Sequence, residues 1–215
     1  MKQPKLIIFD MDGLIFDTEK ICYQIMKKTL QKHNYKFNKE MYIKTIGSNN
    51  QEAKNITMSF MPENFPYDQL IKEVETELEN FTNYNSLPIK PGLIPLLNHL
   101  KEKNITCCIA SSSNNQTIKR YLEKANIISY FDFFIGGNQV EHTKPQPDLF
   151  LKALEIAKIK ARDSLVIEDS ENGILAAKRA NIPVICIPDM KIPDKEFRSY
   201  SRCIMDSLDK IIEII

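Results

Sequence analysis

The chain has no excess of basic residues. It carries 29 Lys and Arg against 28 Asp and Glu in 215 residues, a formal net charge of +1. Proteins that grip nucleic acid or an anionic membrane surface show a basic surplus, so neither partner is expected. No apolar run approaches the ~18 residues that a transmembrane helix needs. The first apolar stretch, Leu6–Phe9, ends at Asp10 and is too short for the core of a signal peptide. Cysteine is scarce and odd in number: Cys22, Cys107, Cys108, Cys186 and Cys203. Their spacing forms no CxxC pair, no disulfide framework and no zinc site, so reduced thiols and a cytoplasmic location are expected. Only six glycines are present, and all fall at expected turns, at element ends or beside the chemical motifs. There is no internal repeat, no low-complexity segment and nothing resembling a coiled coil, so a monomer is expected.

What remains is ordinary globular material, with 43% hydrophobic and 27% charged residues. Five short apolar runs stand out: Leu6–Phe9, Ile105–Ala110, Phe131–Ile135, Leu165–Ile167 and Val184–Ile187. Most are uninterrupted rather than alternating, as in strands buried on both faces of a parallel sheet. Between them lie helical stripes, such as Leu93, Ile94, Leu97 and Leu100, or Phe150, Ala153, Leu154 and Ala157. The alternation predicts an α/β fold with a doubly wound parallel sheet. About a hundred residues separate the first two runs, far more than a crossover helix requires. Stripes at Ile21, Ile25, Met26, Leu30 and at Leu70, Ile71, Val74, Leu78 read this stretch as an inserted α-helical domain. The expected division is a core of 1–16 and 88–215 with a helical cap of 17–87, hinged near Phe16–Thr18 and Ser86–Pro91.

Ligands of doubly wound sheets bind beyond the carboxyl ends of the strands. There the chain places Asp10-Met11-Asp12-Gly13, then Ser111-Ser112-Ser113-Asn114-Asn115, then Thr143-Lys144-Pro145, then Glu168-Asp169-Ser170. Carboxylates crowded together at one sheet edge cannot all ionise unless a cation neutralises them. Oxygen ligands favour a hard ion, and Mg²⁺ suits a site shared with water and phosphate. Two aspartates at i and i+2 allow one to attack while the other handles the proton. Lys144 offers a compact positive charge for phosphate or carboxylate. Ser111 and neighbouring backbone N–H groups can hold phosphoryl oxygens.

These four segments, DMDGLIFDTE, IASSSNN, TKPQPDLF and VIEDSENGILAAKRA, resemble the four ordered motifs of the haloacid dehalogenase superfamily over essentially the whole chain. The branch most similar contains β-phosphoglucomutase-like and pseudouridine-phosphatase-like enzymes with a helical cap. The resemblance implies that Asp10 is a nucleophile forming an aspartyl-phosphate, and that Asp12 is the general acid and base. It implies that Ser111 and Asn115 bind the phosphoryl group and that Lys144 steadies it and Asp10. Mg²⁺ would be held by Asp10, Asp169 and the Asp12 carbonyl, with Glu168 either on the metal or behind it. The second aspartate argues against dehalogenation, because halide departure needs no general acid.

The implied activity is Mg²⁺-dependent hydrolysis of a small phosphomonoester, a sugar phosphate or a nucleotide-like one. The alternative is a phosphosugar mutase. Mutases of this branch carry a histidine where Cys22 aligns and a phosphate-binding arginine where Asn50 aligns, and both departures favour hydrolysis. Glu19, at the entrance to the cap, and Asn50, in its loop, are candidate substrate contacts. Ser112 and Ser113 read as turn residues, and His142 as a plain loop histidine.

Overall fold

A computed structural model describes residues 3–48 and 50–215, apart from the side chain of Asn50. The chain divides into two compact units, one of residues 1–17 and 87–215 and one of Thr18–Ser86. Asp17 and Leu87 thus go with the α/β unit.

The α/β unit is built on six parallel strands: β1 (Leu6–Phe9), β2 (Thr106–Ser111), β3 (Phe133–Gly136), β4 (Ser164–Glu168), β5 (Val184–Cys186) and β6 (Cys203–Ile204). Their order is β3-β2-β1-β4-β5-β6, so the winding reverses at β1. Phe9 is in register with Ile109 on one side and Ile167 on the other. β1 and β4 are buried along their whole length, which explains their unbroken apolar runs. The helices of this unit are α5 (Leu93–Glu102), α6 (Asn115–Lys124), α7 (Asp148–Ala157), α8 (Glu171–Arg179) and the short α9 (Lys195–Arg198). Leu6 and Ile8 pack with Leu149, Phe150 and Ala153 of α7 and with Ile174 and Ala177 of α8. On the opposite face Phe9 meets Phe131 edge-on at 5.7 Å.

With so few glycines, the helices of this protein end on other residues. Asn34, Asn104, Asn126 and Asn181 all adopt positive φ, between 53° and 64°, just past the ends of helices. Asparagine tolerates this left-handed geometry better than other non-glycine residues. After each of the last three, an isoleucine amide reaches back to a carbonyl of the last helical turn: Ile105 to Leu100, Ile127 to Leu122 and Ile182 to Ala177. The apolar side chain then turns inward: Ile105, Ile127 and Ile182 are all buried.

The second unit contains α1 (Thr18–Lys32), α2 (Lys39–Ile43), α3 (Asn50–Met58) and α4 (Tyr67–Tyr84). Ile21, Met26 and Leu30 of α1 and Leu70 and Val74 of α4 are buried. Glu73 of α4 accepts from Lys32 at 2.9 Å and lies 2.8 Å from His33, joining the end of α1 to α4.

Within the α/β unit the two segments that lead towards the helical unit and back are zipped together. Asp17 N–H donates to the Pro88 carbonyl at 3.0 Å, and Lys90 N–H donates to the Ile15 carbonyl at 2.9 Å.

Candidate active site

The candidate residues gather at the carboxyl edge of the sheet, beside the strand where the winding reverses. Asp10 comes directly after β1, and its amide continues the ladder by donating to Ile167 at 3.0 Å. The chain then turns sharply. Gly13, at φ +84°, lets its amide donate to Phe16 at 2.9 Å. A Cβ at Gly13 would collide with Asp169 Oδ2, so only glycine fits here on both counts. Met11, Leu14, Ile15 and Phe16 are all buried beneath the turn and fix it.

Lys144 lies on the loop between β3 and α7, and its peptide bond to Pro145 is cis. Its ammonium is almost fully buried and donates to Asp10 Oδ1, and to Glu168 Oε1 at 2.6 Å. Glu168 closes β4 and is completely buried. Its other oxygen accepts from the amides of Asp169 and Ser170, at 2.9 and 3.0 Å, and from the Ser170 hydroxyl at 3.0 Å. Ser170 also caps α8, where its hydroxyl accepts from Gly173 N–H at 3.1 Å. Asp12 Oδ2 receives the hydroxyls of Ser113 at 3.0 Å and Ser111 at 3.4 Å.

The electrostatics of this edge are unbalanced. Carboxylate oxygens of Asp10, Glu168 and Asp169 come within 4.8 Å of one another. Burial pushes the Asp10 acid up to about 8; Lys144 opposes the shift, while Glu168 and Asp12 add to it. Asp169 is likewise pushed well above the usual carboxylate range, by burial and then by Glu168 and Asp10. Burial depresses the Lys144 ammonium, but Asp10 and Glu168 outweigh this and hold it above its ordinary value. One ammonium does not offset three carboxylates, two of them buried and the third half-buried. A divalent cation among them would, and an all-oxygen donor set fits Mg²⁺.

Asn115 opens α6; its amide donates to Asn138 Oδ1 at 3.0 Å, and its side-chain oxygen faces Gly136 at the end of β3. Glu19 belongs to α1 in the helical unit, where its carboxylate accepts from the Tyr42 hydroxyl at 2.7 Å. Asn50 opens α3, and its side chain lies outside the described residues. His142 is largely exposed and sits 3.4 Å from Asp148. Two contributors were not singled out from sequence. Ser113 reads as a turn residue, yet its hydroxyl reaches Asp12. Asp189, just past β5, forms a 2.5 Å ion pair with Lys90 and raises the Asp169 acid further. It stands at a strand end like the other site residues, and the same rule applied to the fifth apolar run locates it.

A wholly parallel sheet with acidic residues gathered where its winding reverses defines a doubly wound α/β enzyme core. The sequence model of the haloacid dehalogenase-like hydrolases matches residues 7–187, and the chain belongs to that family. The chain is 30% identical over 210 residues to (DL)-glycerol-3-phosphatase 1, mitochondrial, of Arabidopsis thaliana, covering 94% of this chain and 70% of that protein. It is also 30% identical over 185 residues to beta-phosphoglucomutase of Bacillus subtilis, covering 83% and 80%. Among solved structures, CbbY from Rhodobacter sphaeroides in complex with phosphate superposes with a TM-score of 0.75 at 20% identity, covering 97% and 96% of the two chains. That likeness speaks to the fold.

Proposed function

We propose that the chain is a phosphatase that hydrolyses a small phosphomonoester through a phosphorylated Asp10. The observation that carries this reading is the disposition of the two aspartates. Asp10 is buried, fixed by Lys144 and close to two further carboxylates, whereas Asp12 is turned towards two hydroxyls. Two carboxylates in such different surroundings suit different roles. The Asp10 carboxylate attacks phosphorus, and the ester oxygen leaves with a proton from Asp12. Asp12 then takes a proton from the water that attacks the phosphorylated Asp10, which releases phosphate and restores both side chains.

Lys144 orients Asp10 and places positive charge beside the transferring group. Ser111 and the backbone beyond β2 supply donors to the phosphoryl oxygens. Glu168 holds Lys144 in place, and its own position is set by the amides that open the turn into α8. Asp10, Asp169 and the Asp12 carbonyl, with Glu168 beside them, would hold Mg²⁺, which when bound offsets negative charge on the phosphoryl group and these carboxylates.

Hydrolysis is favoured over intramolecular phosphoryl transfer. A mutase must hold a second phosphate; the resembling mutases carry a phosphate-binding arginine where Asn50 aligns, and a histidine where Cys22 aligns, and this chain has neither at those positions. Losing a charge-assisted contact of that kind costs about 1.5–3 kcal/mol. Glycerol phosphate, sugar phosphates and nucleoside monophosphates form the substrate panel; the first is the substrate for which the similar Arabidopsis enzyme is named. Phosphate release is measured with Mg²⁺ and with EDTA, beside Asp10→Asn. Mg²⁺-dependent release that vanishes in the variant is expected. Release by Asp10→Asn at the wild-type rate would overturn the mechanism, and isomerisation without phosphate release would make the protein a mutase.

A further inference from the structure

The strongest feature outside the proposed machinery is the buried pair of Lys90 and Asp189. Lys90 stands on the segment that returns to the α/β unit, and Asp189 stands two residues beyond the last sheet bond of β5, where Ile187 N–H donates to the Glu168 carbonyl at 2.7 Å. Their contact is 2.5 Å, and the side chains are 16% and 8% exposed. Lys90 occupies only Asp189 Oδ1. The other oxygen, Oδ2, is buried and has no hydrogen-bond partner among the described residues. It is directed at the metal-binding edge: a Cβ at Gly13 would lie 3.5 Å from it while colliding with Asp169 Oδ2. A buried carboxylate oxygen without a donor is costly, and such groups call for a water or an ion.

Asp189 stands outside the cluster of Asp10, Glu168 and Asp169 oxygens that lie within 4.8 Å of one another. That place beside the cluster but outside it suits a partner of the ion's water shell rather than a ligand of the ion. Mg²⁺ keeps several of its own waters when protein carboxylates bind it. We propose that Asp189 is a positioning residue for the metal: its free oxygen accepts a hydrogen bond from a metal-bound water, and Lys90 fixes the carboxylate in that orientation. This rests on the metal site proposed at Asp10 and Asp169. Lys90 also lies 3.9 Å from Asp17, so the same ammonium ties the outgoing segment to the pair.

The test is Mg²⁺ binding to the folded protein, measured by titration calorimetry with the metal alone. Asp189→Asn keeps the shape but replaces an acceptor with a donor, and should weaken Mg²⁺ binding by about 10- to 100-fold, the usual cost of losing a group that orients a metal's ligands. Lys90→Gln leaves the acceptor present but less firmly aimed, and should give a smaller loss. Should Asp189→Asn fold poorly, the double variant Lys90→Met/Asp189→Leu carries neither a buried charge nor an acceptor and gives the same reading. Wild-type affinity in a folded Asp189 variant, alongside lost binding in Asp169→Asn, would overturn the proposal while leaving the metal site standing. Wild-type affinity in Asp169→Asn would instead remove the metal site, and the role of Asp189 with it.

Discussion

Replacing Gly173 with alanine sets two effects of opposite sign against each other. Gly173 is the third residue of α8, where alanine is ordinarily better than glycine by about 1 kcal/mol. Here a Cβ would overlap the carboxylate of Glu168. That carboxylate is fully buried and holds Lys144, two backbone amides and the Ser170 hydroxyl. Moving it breaks a buried ion pair, which costs about 3–5 kcal/mol. The clash wins, and a net loss of about 2–4 kcal/mol is expected. At about 2–4 °C per kcal/mol for a chain of this size, Tm should fall by some 4–16 °C. Thermal unfolding monitored by circular dichroism reads this directly, and phosphatase activity should fall with it because Lys144 loses its anchor. A Gly173→Ala protein as stable as wild type, or more so, would show that Glu168 is not held as described.

The same geometry sets further outcomes. Asp12→Asn should lower kcat about 10²- to 10⁴-fold with alkyl phosphates. The loss should be much smaller with p-nitrophenyl phosphate, whose leaving group needs no acid; comparing the two substrates checks this. Ser113→Ala removes one of the two hydroxyls on Asp12 and should cost about 1.5 kcal/mol, roughly tenfold in kcat, with little change in Tm. Gly13→Ala strains a turn at φ +84° and drives a methyl into Asp169, so Mg²⁺ affinity by calorimetry should fall at least tenfold. The Asp10 acid sits near 8 in the fold against 3.8 for a free side chain, so the folded state binds this proton more tightly. Its contribution to stability is present below the free value and is lost as pH rises towards 8. Protons and metal compete for the same carboxylates, so the rise in Tm produced by Mg²⁺ should grow between about pH 5.5 and 8.5. A Mg²⁺ effect independent of pH would contradict this.

The strands legible in the sequence are those with long apolar faces. β1 coincides with its run because all four of its residues are buried. β6 is not legible: it is two residues long, one half-buried and one exposed, and no apolar stretch announces it. Asp10, Glu168 and Asp169 can be placed together because the ends of β1 and β4 lie side by side where the winding reverses, whereas Lys144 reaches them from the loop between β3 and α7 and is placed by its motif. Contacts made by loop geometry cannot be read in this way. Whether a serine in Ser111-Ser112-Ser113 faces Asp12 depends on the turn after β2, and local sequence does not determine it. Asp189 belongs to the fifth strand end, at the same carboxyl edge as the other four. The helix ends carry a readable signal of their own: Asn104-Ile105, Asn126-Ile127 and Asn181-Ile182 each pair a residue tolerant of left-handed backbone with one that packs inward.

The central claim is a covalent bond between phosphorus and Asp10, and borohydride trapping tests it most directly. Protein turning over a phosphomonoester with Mg²⁺ is quenched, treated with borohydride to reduce the acyl-phosphate, and mapped by peptide mass spectrometry. Homoserine at position 10, dependent on substrate and absent when EDTA replaces Mg²⁺, is the predicted result. Phosphate release without any modification of Asp10, or with the modification on another carboxylate, would contradict the account.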